Sequence, residues 1–147
     1  MKNRSHRLGR IVALARSEEQ RQGAALGKSR NKYDEQMQRL GELNAYKYGY
    51  QQRSRSVSGA TSAHWQDYQN FLRRMDLAVK SQQEIVQDAE LNLQKHRQRW
   101  TQKRQRVDSL QRVLESYRGE EELHAERLRQ RALDELPLAA DPYPSEG

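Results

Sequence analysis

The 147-residue chain has no cysteine, which excludes disulfide staples and thiolate chemistry and permits a reducing compartment. Its only prolines are Pro137, Pro142 and Pro144, so nothing of that kind breaks a helix before the last few residues. There is one phenylalanine, hydrophobic residues are 34% of the chain and the mean hydropathy is −1.22. That is too little apolar surface for an ordinary closed core. No stretch approaches the roughly 18 apolar residues of a membrane span. The basic opening Met1 to Arg7 is not followed by the apolar run of a secretory signal, so none is expected.

What the chain does have is order. From Leu72 every seventh residue reads Leu72, Val79, Val86, Leu93, Trp100, Val107, Leu114, Glu121 and Leu128. Three residues after each comes a second row, Met75, Gln82, Ala89, His96, Lys103, Leu110, Tyr117, His124 and Arg131. The first row is apolar except at Glu121. A seven-residue period keeps one stripe against a neighbour only in a supercoiled helix. Leu8 to Tyr50 carries a weaker seam: Leu8, Val12, Ala15, Glu19, Gln22, Leu26, Ser29, Tyr33, Gln36, Leu40, Leu43, Lys47 and Tyr50. It is also dotted with Gly9, Gly23, Gly27, Gly41 and Gly49. Each glycine costs about 1 kcal/mol relative to alanine inside a helix, so this segment depends on the other. Gly23 and Gly27, beside Ala24 and Ala25, suit either a close helix approach or no special role.

Residues 53–62, rich in Ser and Gly, break the pattern, and Thr61 or Ser62 can cap the next helix. A short connection favours an antiparallel pair. The predicted fold is therefore all-α, a long antiparallel two-helix coiled-coil hairpin. Helix one spans 1–52, the loop 53–62, helix two 63–134, and a disordered tail 135–147. Folding back about Val57 sets Tyr50 near Trp65 and Leu8 near Val107. Helix two then overhangs helix one from about Leu110, leaving Leu110, Leu114, Tyr117, Leu123 and Leu128 without an intrachain partner.

Chemistry is hard to find. Gly27-Lys28-Ser29 looks like the end of a phosphate loop, but Gln22 stands where the motif needs glycine and no strand precedes it. His6, His64, His96 and His124 are too dispersed to share a metal. No acid–base grouping has a wall to exclude water. No catalytic residue, metal or cofactor is expected. The net charge of +7 points to acidic partners. Within 94–106, Lys95, Arg97, Arg99, Lys103, Arg104 and Arg106 occur without an acid; this is an acidic-docking or phosphate-binding face, or a solvated one. Phe71, Met75, Ala78 and Gln82, at i, i+4, i+7 and i+11, read as a docking stripe for a further partner, or as a wide seam.

The stretch Trp65 to Gln83, with Tyr68-Gln69, Phe71-Leu72, Ala78 and Gln82-Gln83, resembles the flagellar FliJ family. Tyr33, Tyr46 and Tyr50 before the loop, the Arg99-Trp100 step and Val113-Leu114 are similar to it as well. The resemblance implies an antiparallel coiled coil like the central stalk of rotary ATPases. It implies a non-enzymatic part of the flagellar type III export apparatus, linking a hexameric export ATPase (FliI-like) to an export gate membrane protein (FlhA-like) and binding export chaperones. By the same resemblance Phe71, Met75, Ala78 and Gln82 fall on the gate-binding face, while Leu8, Ile11, Leu123 and Leu128 enter the ATPase ring. The implied location is cytoplasmic, at the inner face of the cell membrane through protein partners, with no nucleic acid. The rival expectations are a basic coiled coil that binds nucleic acid, a self-assembling structural rod, and the equivalent stalk of a virulence-type secretion system.

Overall fold

The structure, a computed structural model, describes residues 2–56, 59 and 61–136. Two helices account for almost all of them: α1, Lys2–Arg55, and α2, Ser62–Glu135. They pack against each other as an antiparallel hairpin, as the heptads predict. No helix among the described residues is long and apolar enough to cross a membrane.

The ends of the helices reflect local chemistry. Arg53 and Arg55 occupy the last turn of α1, where cations suit the negative end of the helix dipole. Ser56 then closes the turn, its hydroxyl donating to the Arg53 carbonyl at 2.8 Å. Nothing in Arg53–Arg55 disfavours helix, so α1 continues past residue 52. Gly59 has φ +82°, a left-handed conformation that costs glycine little and other residues more. Thr61 is the N-cap of α2: its hydroxyl accepts the His64 N–H at 3.2 Å and its carbonyl accepts that of Trp65 at 3.1 Å, the geometry that satisfies orphan amides. Val57 and the tail from 137 onward lie outside the described residues; Glu135, expected in the tail, belongs to α2.

The chain divides into two compact units, a terminal unit of Met1–Glu19 with Lys103–Gly147 and a turn unit of Gln20–Gln102. In the turn unit the core is Tyr68, Met75, Val86 and Leu93 from α2, with Ser29 buried from α1. Tyr33, Gln36, Leu40, Leu43 and Tyr50 are half-buried between them. The close approach expected near the glycines occurs at Gly23: a Cβ there would meet Trp100 Nε1 at 3.3 Å, whereas Gly27 has open space. In the terminal unit the core is Val12, Ala15, Val107 and Leu114. Every predicted seam position of α1 is buried or half-buried, and so are both rows of α2 as far as Glu121.

The register differs from expectation. In the turn unit Tyr50 lies on Tyr68 and Phe71 rather than beside Trp65. In the terminal unit Arg4 reaches Tyr117 and Ser5 reaches Glu121, about one heptad further along α2 than expected. The reversal is centred nearer Gly59 and Thr61 than Val57, and each residue by which the centre moves shifts the facing register by two. Leu110, Leu114 and Tyr117, expected bare, are consequently covered, Leu114 to 3% exposure. The overhang is shorter: from Glu122 to Leu136 every residue is exposed.

Candidate partner-binding surfaces

Two surfaces meet the requirements of a binding rod, one in each unit. In the terminal unit it is the bare end of α2. Leu123 is 60% and Leu128 51% exposed, with Leu133 and Leu136 exposed beyond them. Lone apolar side chains on a surface need no explanation, but a run of leucines along an uncovered helix does. The segment has little local support: among the described residues its one ion pair is Arg129 to Glu126 at 2.8 Å, between exposed side chains, worth a few tenths of a kcal/mol. Of the residues assigned to ring binding, Leu123 and Leu128 are on this bare end, Ile11 is exposed on α1, and Leu8 is half-buried in the seam.

Polar contacts mark where the bare end begins. Glu121 accepts the Ser5 hydroxyl at 2.7 Å and the Ser5 backbone N–H at 3.3 Å. Arg4 lies with its guanidinium carbon 3.9 Å from the centre of the Tyr117 ring and donates to the Tyr117 hydroxyl at 2.9 Å. The N-terminus of a helix carries a partial positive charge that a nearby carboxylate offsets. The first turn of α1 contains no acid. Glu121, the polar exception in the apolar row, supplies the missing carboxylate from the other helix. The row itself marks Glu121 as anomalous, but only the register identifies what it holds. Lower in the same unit Lys103 pairs with Glu18 at 3.2 Å and Arg16 donates to Gln111 at 2.7 Å, so one cation of the basic stretch serves the hairpin. Arg104 pairs with Asp108 along α2 at 3.7 Å.

In the turn unit the surface is aromatic. Phe71 lies 3.8 Å, centroid to centroid, from Tyr50 and 5.8 Å from Tyr46. Tyr50 also stacks on Tyr68, and the Tyr68 ring meets that of Trp65 at a tilt. Tyr46 and Trp65 are each more than half exposed, so the cluster is part core and part surface. Lys47 bonds the Asp76 carboxylate across the helices. A shallow groove of about 420 Å³ is bounded by Arg39, Glu42, Leu43, Tyr46 and Gln82.

The four residues of the docking stripe separate here. Met75 and Gln82 are buried, each 8% exposed. The Gln82 amide donates to the Gln36 carbonyl at 2.9 Å and to its side-chain oxygen at 2.8 Å. Phe71 and Ala78 are half-buried at the margin. With Ile85, exposed, they form a line seven residues apart beside the seam. Met75 and Gln82 belong to the second heptad row, and that membership is the sequence signal for their burial. Leu77 and Leu91, both exposed on the outer side of α2, fall in neither row, so the heptads give no signal for them.

Comparison with known proteins agrees with the residue pattern. A search of curated proteins found no match. The family model described as flagellar FliJ protein matches residues 4–140, which takes in both helices and both surfaces, and the chain belongs to this flagellar FliJ family, a family of non-catalytic components related to flagellar export.

Proposed function

We propose that the chain is a non-enzymatic stalk of the flagellar export apparatus, with its bare α2 end engaging the export ATPase ring and its aromatic turn unit engaging the export gate. The observation that carries this reading is the uncovered helix beyond Glu121, with Leu123 and Leu128 exposed. A helix of this length is marginal in water without tertiary support, so a partner that clothes it gains both apolar contact and an already aligned backbone. Ile11 adds to the same contact, while Leu8 acts beneath it in the seam. At the other surface Phe71 and Ala78 make the gate contact, and Met75 and Gln82 act from behind by fixing α2 against α1. Export chaperones bind the same rod, and the chain is held at the inner face of the membrane by these protein contacts. Excess basic charge makes association with acidic surfaces faster and salt-sensitive.

Stimulation of a purified export ATPase tests the reading. Leu123→Asp combined with Leu128→Asp places two charges on the bare end without touching the buried seam. The expected result is loss of most of the stimulation with helix content retained. Unchanged stimulation removes the bare end from the account.

A further inference from the structure

We propose that Glu121 and Tyr117 form a latch on the start of α1, and that a partner gripping the bare end of α2 competes with α1 for Glu121. The latch itself stands on the contacts described above; the identity of the competing partner rests on the export-stalk reading.

The start of α1 is poorly suited to a helix. Arg4 and Arg7 lie at the positive end of the α1 dipole, where cations are unfavourable, and the first turn has no acid of its own. Glu121 corrects both faults at once, as a carboxylate beside the dipole and as an acceptor for the Ser5 N–H and hydroxyl. Tyr117, one turn earlier on α2, holds Arg4 by its ring and its hydroxyl. The first turns of α1 are therefore conditional on two α2 side chains.

Glu121 also has a second role in the geometry. It heads the stripe Glu121, Ala125, Leu128 and Ala132, at i, i+4, i+7 and i+11 on one side of α2. The last three are exposed. A partner helix laid along that stripe arrives at Glu121 from the bare side while the α1 N-terminus holds it from the other. Engagement of the whole stripe then displaces Ser5, the first turns of α1 lose the carboxylate beside their positive end, and Tyr117, Leu114 and Leu110 become available in sequence. The length of uncovered α2 is thus set by the partner and not by the chain alone.

Amide exchange on the intact free protein tests the latch. Glu121→Leu, which preserves apolar packing in the row but removes the acceptor, should speed exchange at Ser5 to Gly9 by roughly tenfold, with Ala15 and the α2 amides unchanged. Glu121→Gln, which keeps an acceptor without the charge, should fall between. Wild-type exchange rates in Glu121→Leu would show that the residue only fills space, and would overturn the proposal. The competition is read by the affinity for purified export ATPase: Ser5→Ala, which removes the shorter of α1's two bonds to Glu121 and leaves Glu121 itself for the partner, should tighten binding several-fold. Equal or weaker binding overturns the competition. If the wild-type chain does not bind the ATPase at all, the export-stalk reading fails and the competition with it, while the exchange rates still decide the latch.

Discussion

The terminal and turn units are built on one heptad pattern, yet they are held together by different means. The terminal unit has a small aliphatic core, Val12, Ala15, Val107 and Leu114, closed at its upper edge by the Arg4–Tyr117 and Ser5–Glu121 contacts. The turn unit relies on interlocked rings and on a seam that includes Gln82, bonded, and Ser29, whose buried hydroxyl has no hydrogen-bond partner among the described residues. A seven-residue period decides which side chains turn inward. It does not decide what they are, and the surplus at each margin is what a partner meets: aliphatic residues on an uncovered helix in one unit, aromatic residues on a covered one in the other.

Substitutions can break this comparison. The largest contrast is expected within the terminal unit itself: Leu114→Ala, in the seam, should cost about 2–4 kcal/mol, and Leu128→Ala, on the bare end, under about 0.5 kcal/mol. Urea unfolding measures both, and equal costs would mean that α2 is covered beyond Glu121. In the turn unit Met75→Ala should cost about 2 kcal/mol or more in the same assay, whereas Ala78→Ser should change stability little and gate binding more. Retained gate affinity in Ala78→Ser would narrow the contact to Phe71. Smaller effects are expected in α1. Gly27→Ala should stabilise by close to 1 kcal/mol, since helix propensity improves and no atom stands in the way. Gly23→Ala should give distinctly less, because the Trp100 ring must retreat by a few tenths of an ångström. Ser29→Ala should stabilise by about 1 kcal/mol through removal of an unpaired buried hydroxyl. Smallest of all, Lys103→Gln should cost no more than about 0.5 kcal/mol, its pair with Glu18 being more than a third exposed on each side.

The heptad rows make the inward face legible residue by residue, including polar members such as Glu19, Gln22 and Lys103. The register is not legible, because it depends on where the chain reverses. Gly59 and Thr61 fix that point through a left-handed turn and a cap, and the pattern around them does not reveal which serine or threonine will act. The docking stripe is not evenly exposed, for a different reason. Its helical spacing joins Phe71 and Ala78, beside the seam, to Met75 and Gln82, within it; an i, i+4, i+7 reading does not separate a margin from an interior. Glu121 is visible in the sequence only as a break in an apolar row, since its meaning lies in a residue 116 positions earlier.

The Trp100 indole, sheltered by Gly23, has an optical consequence. The chain has two tryptophans, Trp65 and Trp100, and both reside in the turn unit. Trp65 is 58% exposed and Trp100 only partly so. Intrinsic fluorescence during heating therefore reports that unit alone, whereas circular dichroism averages over every turn of helix. Coincident curves would make the two units one cooperative body; separated curves would show which half lets go first, with no label attached.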